Sequence, residues 1–389
     1  MKRIAVPLAV IAVSAVIALL AFELLLRAIG FSAPVWREPH PQLGWTLRPG
    51  VEGWQTREGR AYVKVNDAGW RDRPRAVEKP AGVYRIAVLG DSYSEAMHVG
   101  LEDTYWSRLE GLLKSCSGKN VEVLNFGVAG WGTAQQYLAL QEIALRYKPD
   151  QVLLQFTNGN DVRNNSRALE PENERPFYSA DMQLDRSFTE DPAFRGRRSF
   201  SSEAVRRASD YSRTLQMLRT VAQAGLLPKA HATRPDEIEA GLDLVPLAPP
   251  KSPQWEEAWR VTERLLEEIN GLARKNGAAM VMVMVPYAVQ VHPDAKLRES
   301  LQQKLGVDDL FYPERRLEAF AKTKGIDLVA LAPAMQKISQ AESRYLHGFD
   351  NARPGIGHWN EHGHRVAAEI IARRLCGEGR PWAGASAGR

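Results

Sequence analysis

The chain has 389 residues, 44% of them hydrophobic, which is enough to bury one large core. Its formal charge is only +5, and its basic clusters, around Arg71 to Arg75, Arg195 to Arg198 and Arg206 to Arg207, carry no interleaved aromatics. That pattern argues against nucleic-acid binding and reads as solvated surface with some attraction to an anionic membrane.

From the N-terminus, Ile4 to Leu26 form an apolar run interrupted by Ser14 and Glu23 and preceded by Lys2 and Arg3. Its length suits a bilayer span, and the positive flank predicts a cytoplasmic tail with the chain exported from about residue 30. The nearest small-x-small site, Phe31-Ser-Ala33, is followed by Pro34, a poor cleavage context, so residues 1–29 are expected to stay as a membrane anchor. Glu23 then lies near the outer interface, within reach of water. The expected location is the periplasmic side of an inner membrane.

Residues 30–82 are rich in Gly, Pro and Trp, with an alternating stretch Ala61-Tyr-Val-Lys-Val65, and read as a small β-rich lead-in connecting anchor to core. From residue 83 strands alternate with helices. Strands are predicted over 84–89, 121–126, 151–156, 278–285 and 326–330, and helices over 104–114, 134–147, 255–275, 313–324 and 364–375. This order implies right-handed crossovers and a parallel sheet covered on both faces, an α/β fold in three α/β/α layers spanning 83–378. Residues 162–254 form a polar insertion with a hairpin pattern over 176–184 and a Pro-rich stretch over 245–250, either a substrate wall or a surface excursion. Residues 379–389 read as a disordered tail. Cys116 and Cys376 fall at the ends of two predicted helices, so a disulfide forms if those helices are neighbours.

Four segments carry the chemistry. Gly90-Asp-Ser92 follows the first strand; Asn125-Phe-Gly-Val-Ala-Gly130 follows the second, Thr157-Asn-Gly-Asn-Asp161 the third, and His358 precedes the last helix. A serine hydroxyl needs a base to take its proton and donors to hold an oxyanion. Ser92 would be the nucleophile, His358 the base, and Ser92, Gly130 and Asn160 the oxyanion donors. Each segment also has an ordinary reading: a helix cap at Ser92, a strand-to-helix turn at Gly130, and turn chemistry at Asn160. Three histidines in seven residues (358, 362, 364) suggest a metal site, but no further ligand cluster accompanies them, so neither metal nor cofactor is expected.

In this order the four segments resemble the SGNH hydrolases, the GDSL esterase and lipase superfamily, over about residues 83 to 377. The resemblance implies a flavodoxin-like α/β/α sandwich, a serine nucleophile at Ser92, an oxyanion hole from Ser92, Gly130 and Asn160, and a general base at His358. The family places its acid three residues before the histidine, where this chain has Gly355. Asp350 takes that role if the segment 351–355 folds back; otherwise a backbone carbonyl must orient the ring. The expected activity is an exported serine esterase removing acyl groups, acetyl among them, from a cell-envelope carbohydrate. The alternatives are a polysaccharide O-acyltransferase and a non-catalytic envelope-binding protein that retains the fold.

Overall fold

In the computed structural model of the protein, residues 2–226 and 242–377 are described; the expected tail at 379–389 lies outside them. Helix α1 (Lys2–Ala28) is followed by two antiparallel strand pairs, β1 (Arg37–His40) with β2 (Gly44–Leu47) and β3 (Glu52–Gln55) with β4 (Ala61–Lys64). The core opens with β5 (Val83–Leu89), α2 (Ser92–Glu95), α3 (Tyr105–Ser117), β6 (Asn120–Asn125), α4 (Thr133–Glu142), β7 (Gln151–Thr157) and α5 (Asp161–Asn164). The excursion after α5 holds a short pair, β8 (Phe177–Tyr178) with β9 (Leu184–Asp185), then α6 (Pro192–Arg197), α7 (Phe200–Tyr211) and α8 (Arg213–Leu226). The core resumes with α9 (Pro253–Lys275), β10 (Ala279–Val285), α10 (Ala295–Leu305), α11 (Tyr312–Lys324), β11 (Asp327–Ala330), α12 (Ala332–Glu342) and α13 (Glu361–Cys376).

The five core strands form one parallel sheet in the order β6-β5-β7-β10-β11. This is the doubly wound order in which the first strand lies between the second and third. Groups at the carboxyl ends of β5 and β7 therefore border the crevice where the winding reverses. Side chains alternate between the two faces as the pleat requires. Ile86 and Val88 of β5 join the cluster beneath α3 and α13, whereas Ala87 and Leu89 join the one beneath α4 and α9. β10 repeats the division, its methionines on the α9 side and its valines on the α13 side. A sheet buried on both faces explains why these strands read as continuous apolar runs.

The expected helix over 134–147 is broken at Ile143, whose backbone is not helical; a short 3₁₀ turn, Ala144–Tyr147, follows and seats Tyr147 edge-on against Phe126 at 5.2 Å. α3 and α13 pack against each other, and Cys116 and Cys376 at their C-terminal ends are joined as a disulfide with Cα atoms 6.1 Å apart. α1 is apolar and exposed along Ala9–Ala28, long enough to cross a membrane. Near its end Glu23 accepts hydrogen bonds from the N–H groups of Arg213 (2.9 Å) and Thr214 (2.8 Å) and from the Ser212 and Thr214 hydroxyls. Glu23 thereby satisfies the first turn of α8 and ties the excursion to α1.

Candidate active site

Ser92 begins α2, one turn beyond β5. Asp91 caps that turn, its Oδ1 accepting the Tyr93 N–H at 3.0 Å. α2 ends at Ala96 in the left-handed region (φ 48°), a strained conformation for a residue with a Cβ. The fully buried Arg71 holds it there by donating to the carbonyls of Glu95, Ala96 and Val99. His358 arrives on the loop before α13, anchored by the His347–Trp359 bridge. Its Nε2 lies 2.8 Å from Ser92 Oγ.

The opposite edge of the imidazole meets Glu58, not Asp350. Glu58 sits in the turn between β3 and β4, and its carboxylate spans two donors. Oε2 is 2.8 Å from His358 Nδ1, and Oε1 accepts the His358 backbone N–H at 2.7 Å. With the proton on Nδ1, Nε2 is left as the acceptor facing Ser92. The segment 351–355 does fold back, but it delivers Asn351 to the hairpin. Asn351 donates to the carbonyls of Thr56 (3.1 Å) and Gly59 (2.8 Å) and accepts the Gly59 N–H (3.0 Å), while Asp350 is exposed. Gly357 makes the approach feasible: a Cβ there would stand 2.3 Å from Glu58 Oε1, and its φ of 95° suits only glycine.

Gly130 and Asn160 join Ser92 and His358 around a cavity of about 270 Å³, with Arg163, Arg175 and Leu242 completing its wall. Gly130 has a φ of 82°, and its loop is fixed from the lead-in: Trp45 Nε1 donates to the Ala129 carbonyl (3.0 Å) and Trp131 Nε1 to the Trp45 carbonyl (3.0 Å). Asn160 Nδ2 donates to Asp91 Oδ2 at 3.2 Å, leaving its second N–H uncommitted. Among the described residues the backbone N–H groups of Ser92 and Gly130 have no acceptor within the protein. Asp161 serves the turn, accepting the Thr157 N–H (2.7 Å) and the Thr133 hydroxyl (3.0 Å), with its carboxyl pushed well up by burial and by the Asp91 charge.

The electrostatics favour a proton moving onto His358. Burial opposes its charging, but the hydrogen bond and charge of Glu58, aided by Asp91 and Glu95, carry its pKa above the ordinary imidazole value. Burial likewise works to raise the Glu58 carboxyl, and the His358 contacts outweigh it, holding the group below the usual carboxylate range. His98 stacks on His358 with ring centroids 4.0 Å apart and is kept neutral by burial and by the nearby imidazole. Glu58, His98 and His358 place one potential ligand atom each within 4.8 Å of one another. A cation bound through Nδ1 would replace the proton that Glu58 accepts, so metal ligation and this hydrogen bond exclude each other. His362 and His364 point elsewhere, His362 to Glu342 (2.7 Å) and His364 Nδ1 to the Tyr105 N–H (3.2 Å).

No family model matches the chain, and no curated protein matches it. Solved structures do. An acetylxylan esterase from Geobacillus stearothermophilus, as its catalytic S15A mutant, aligns at 12% identity over 77% of this chain and 95% of its own, with a TM-score of 0.39. The acetyl xylan esterase AlAXEase aligns at 13% over 75% and 99%, TM-score 0.39. LAE5, an alpha/beta hydrolase enzyme from the metagenome of Lake Arreo, Spain, aligns at 13% over 76% and 97%, TM-score 0.36. At such values the alignments carry no argument about activity, which rests on the geometry above.

Glu58 is the functional residue that sequence reasoning missed. It is one of 46 acidic residues and lies 300 positions from the histidine it contacts. The available signal was indirect: the glycine at 357, just before His358, vacates the space into which a carboxylate from elsewhere projects.

Proposed function

We propose that the protein is a serine esterase of the SGNH type, held in a membrane by α1 with its catalytic domain exported. The observation that carries this reading is the unbroken hydrogen-bond line from Ser92 Oγ through His358 to Glu58, both links 2.8 Å. Ser92 Oγ attacks the ester carbonyl as His358 Nε2 takes its proton, and Glu58 stabilises the imidazolium without itself being protonated. The uncommitted N–H groups of Ser92, Gly130 and Asn160, which border the same cavity, would serve as donors for the oxyanion. His358 then returns the proton to the departing alcohol, and water attacks the acyl-enzyme by the same route in reverse.

The described disulfide fits an oxidising compartment, which supports export. The substrate class read from the sequence, an acyl ester of a cell-envelope carbohydrate with acetyl among the acyl groups, is the one this site would serve. Transfer of the acyl group to a polysaccharide hydroxyl instead of water would use the same residues. The non-catalytic alternative drew its strength from the lack of an acid at position 355; Glu58 removes that argument.

The test is labelling of the full chain in detergent with a fluorophosphonate probe. Wild type should label and Ser92→Ala should not. Folded wild type that stays unlabelled refutes the assignment.

A further inference from the structure

Beside the small oxyanion cavity, a larger one of about 480 Å³ also opens on Ser92 and His358. Its walls come from three places: the lead-in (Trp36, Arg37, Trp54, Arg57), the α2 end (Glu95) and α8 (Arg219). This size suits a sugar unit or two beyond the reacting ester.

The charges facing it do not balance. Glu95 is its one carboxylate, and that group is committed: one oxygen accepts the Ala129 N–H at 2.6 Å and the other lies 3.6 Å from Arg37. Arg57 is exposed and has no ion-pair partner among the described residues. Arg219 gives one N–H to the Ala33 carbonyl, and its Nε is buried without a partner. Burial, with the like charges of Arg48 and Arg57, pushes the Arg219 guanidinium down, and the acid that opposes this, Asp210, is already held by Arg48 (3.0 and 2.6 Å). Two guanidinium forks thus border one cavity with a positive surplus. Such a fork matches a carboxylate in shape and charge. Trp36 and the part-exposed Trp54 also line the cavity, which adds apolar surface of the kind a pyranose ring packs against, and Arg60 lies over the Trp54 ring at 5.2 Å.

We propose that this cavity binds the non-reacting part of the substrate and that this part is an anionic glycan bearing carboxylates, a uronate-type saccharide, with Arg57 and Arg219 as its recognition residues. As a statement of substrate class this rests on the esterase reading, but binding to the cavity can be measured without it.

The experiment is equilibrium binding to the detergent-solubilised full chain, followed by tryptophan fluorescence. The ligands are an oligogalacturonate, a neutral xylo-oligosaccharide and inorganic phosphate, at low and high salt. The oligogalacturonate should bind about tenfold or more tighter than the neutral sugar and weaken with salt. Arg57→Glu and Arg219→Gln should each weaken it by about three- to tenfold. Because Arg57 is exposed, its replacement puts no packing at risk. Equal affinity for both sugars, or oligogalacturonate binding indifferent to both substitutions, overturns the proposal. Phosphate binding as tightly as oligogalacturonate reassigns the cavity to simple anions and also overturns it. Fluorophosphonate labelling of the same samples separates the two readings: binding without labelling sinks the esterase alone, and labelling without binding sinks the glycan cavity alone.

Discussion

Replacing Glu58 by Gln tests the most specific feature of the site. The carboxylate accepts from two donors at once, Nδ1–H at 2.8 Å and the His358 backbone N–H at 2.7 Å. An amide has one acceptor oxygen. If that oxygen stays on the backbone N–H, the amide NH₂ faces Nδ1, which must then become an acceptor. The ring proton moves to Nε2, and the imidazole presents a donor to Ser92 where a base is required. If the oxygen goes to Nδ1 instead, NH₂ opposes N–H and the carboxylate charge is still lost. In either arrangement kcat should fall by roughly 10³- to 10⁴-fold, or about 4 to 5.5 kcal/mol of transition-state stabilisation. The pH profile should move as well. The base works only when neutral, so the rate falls as pH drops through the His358 pKa, which in wild type lies above the ordinary imidazole value because Glu58 outweighs burial. Removing that charge lets burial dominate, and the acid limb should shift to lower pH. The assay is kcat and kcat/KM on a small aryl acetate from mildly acidic to mildly basic pH, with Asp350→Asn in parallel. A near-wild-type Glu58→Gln enzyme, or a collapse of activity in Asp350→Asn, would falsify the assignment.

Other perturbations address neighbouring parts of the argument. Asn160→Ala should lower kcat by about 10²- to 10³-fold with little change in KM, since its N–H is needed only once negative charge develops on the oxygen; a KM effect alone would make Asn160 a substrate-binding residue. Gly357→Ala should mimic the loss of Glu58, because the new methyl occupies the place of Oε1; kinetics and pH profile like wild type would mean that Glu58 does not sit against His358. Cys376→Ser should lower the melting temperature by about 5 to 10 °C, as expected when a link closing a loop of 260 residues is removed. An unchanged melting curve would show that the cross-link does not stabilise the fold.

What could be read in the sequence follows from what periodicity and local chemistry encode. The sheet was legible because strands buried on both faces must be apolar throughout: β5, β7 and β10 stand out in composition alone. α7 and α8 were not, because the segment is polar overall, although apolar residues recur in both at helical spacing; Phe200, Val205, Leu218 and Val221 are exposed and do not face the core. Ser92, Gly130 and Asn160 were legible as a set because each follows its own core strand, so the sheet order alone gathers them at one end. Glu58 belongs to no such unit. Its place depends on Trp45 and Trp131 docking the lead-in on the Gly130 loop and on Asn351 gripping the Thr56–Gly59 turn, contacts between segments remote in sequence.

The same contacts change what the lead-in is for. Read as a connector, it would tolerate substitution anywhere that spared its strands. In the fold it fixes the Gly130 loop, supplies the carboxylate that orients His358, and contributes Trp36, Trp54 and Arg57 to the larger cavity. A core beginning at residue 83 would keep all five strands but lose packing, because Leu43, Leu47, Val63, Val65 and Trp70 of the lead-in are buried in the same cluster as Ala87, Leu124 and Phe126. It would also lose Glu58 beside His358 and Trp45 beside the Gly130 loop. The lead-in therefore serves fold and site together: it completes the core on one face of the sheet and, in the proposed mechanism, supplies the carboxylate that makes Ser92 reactive.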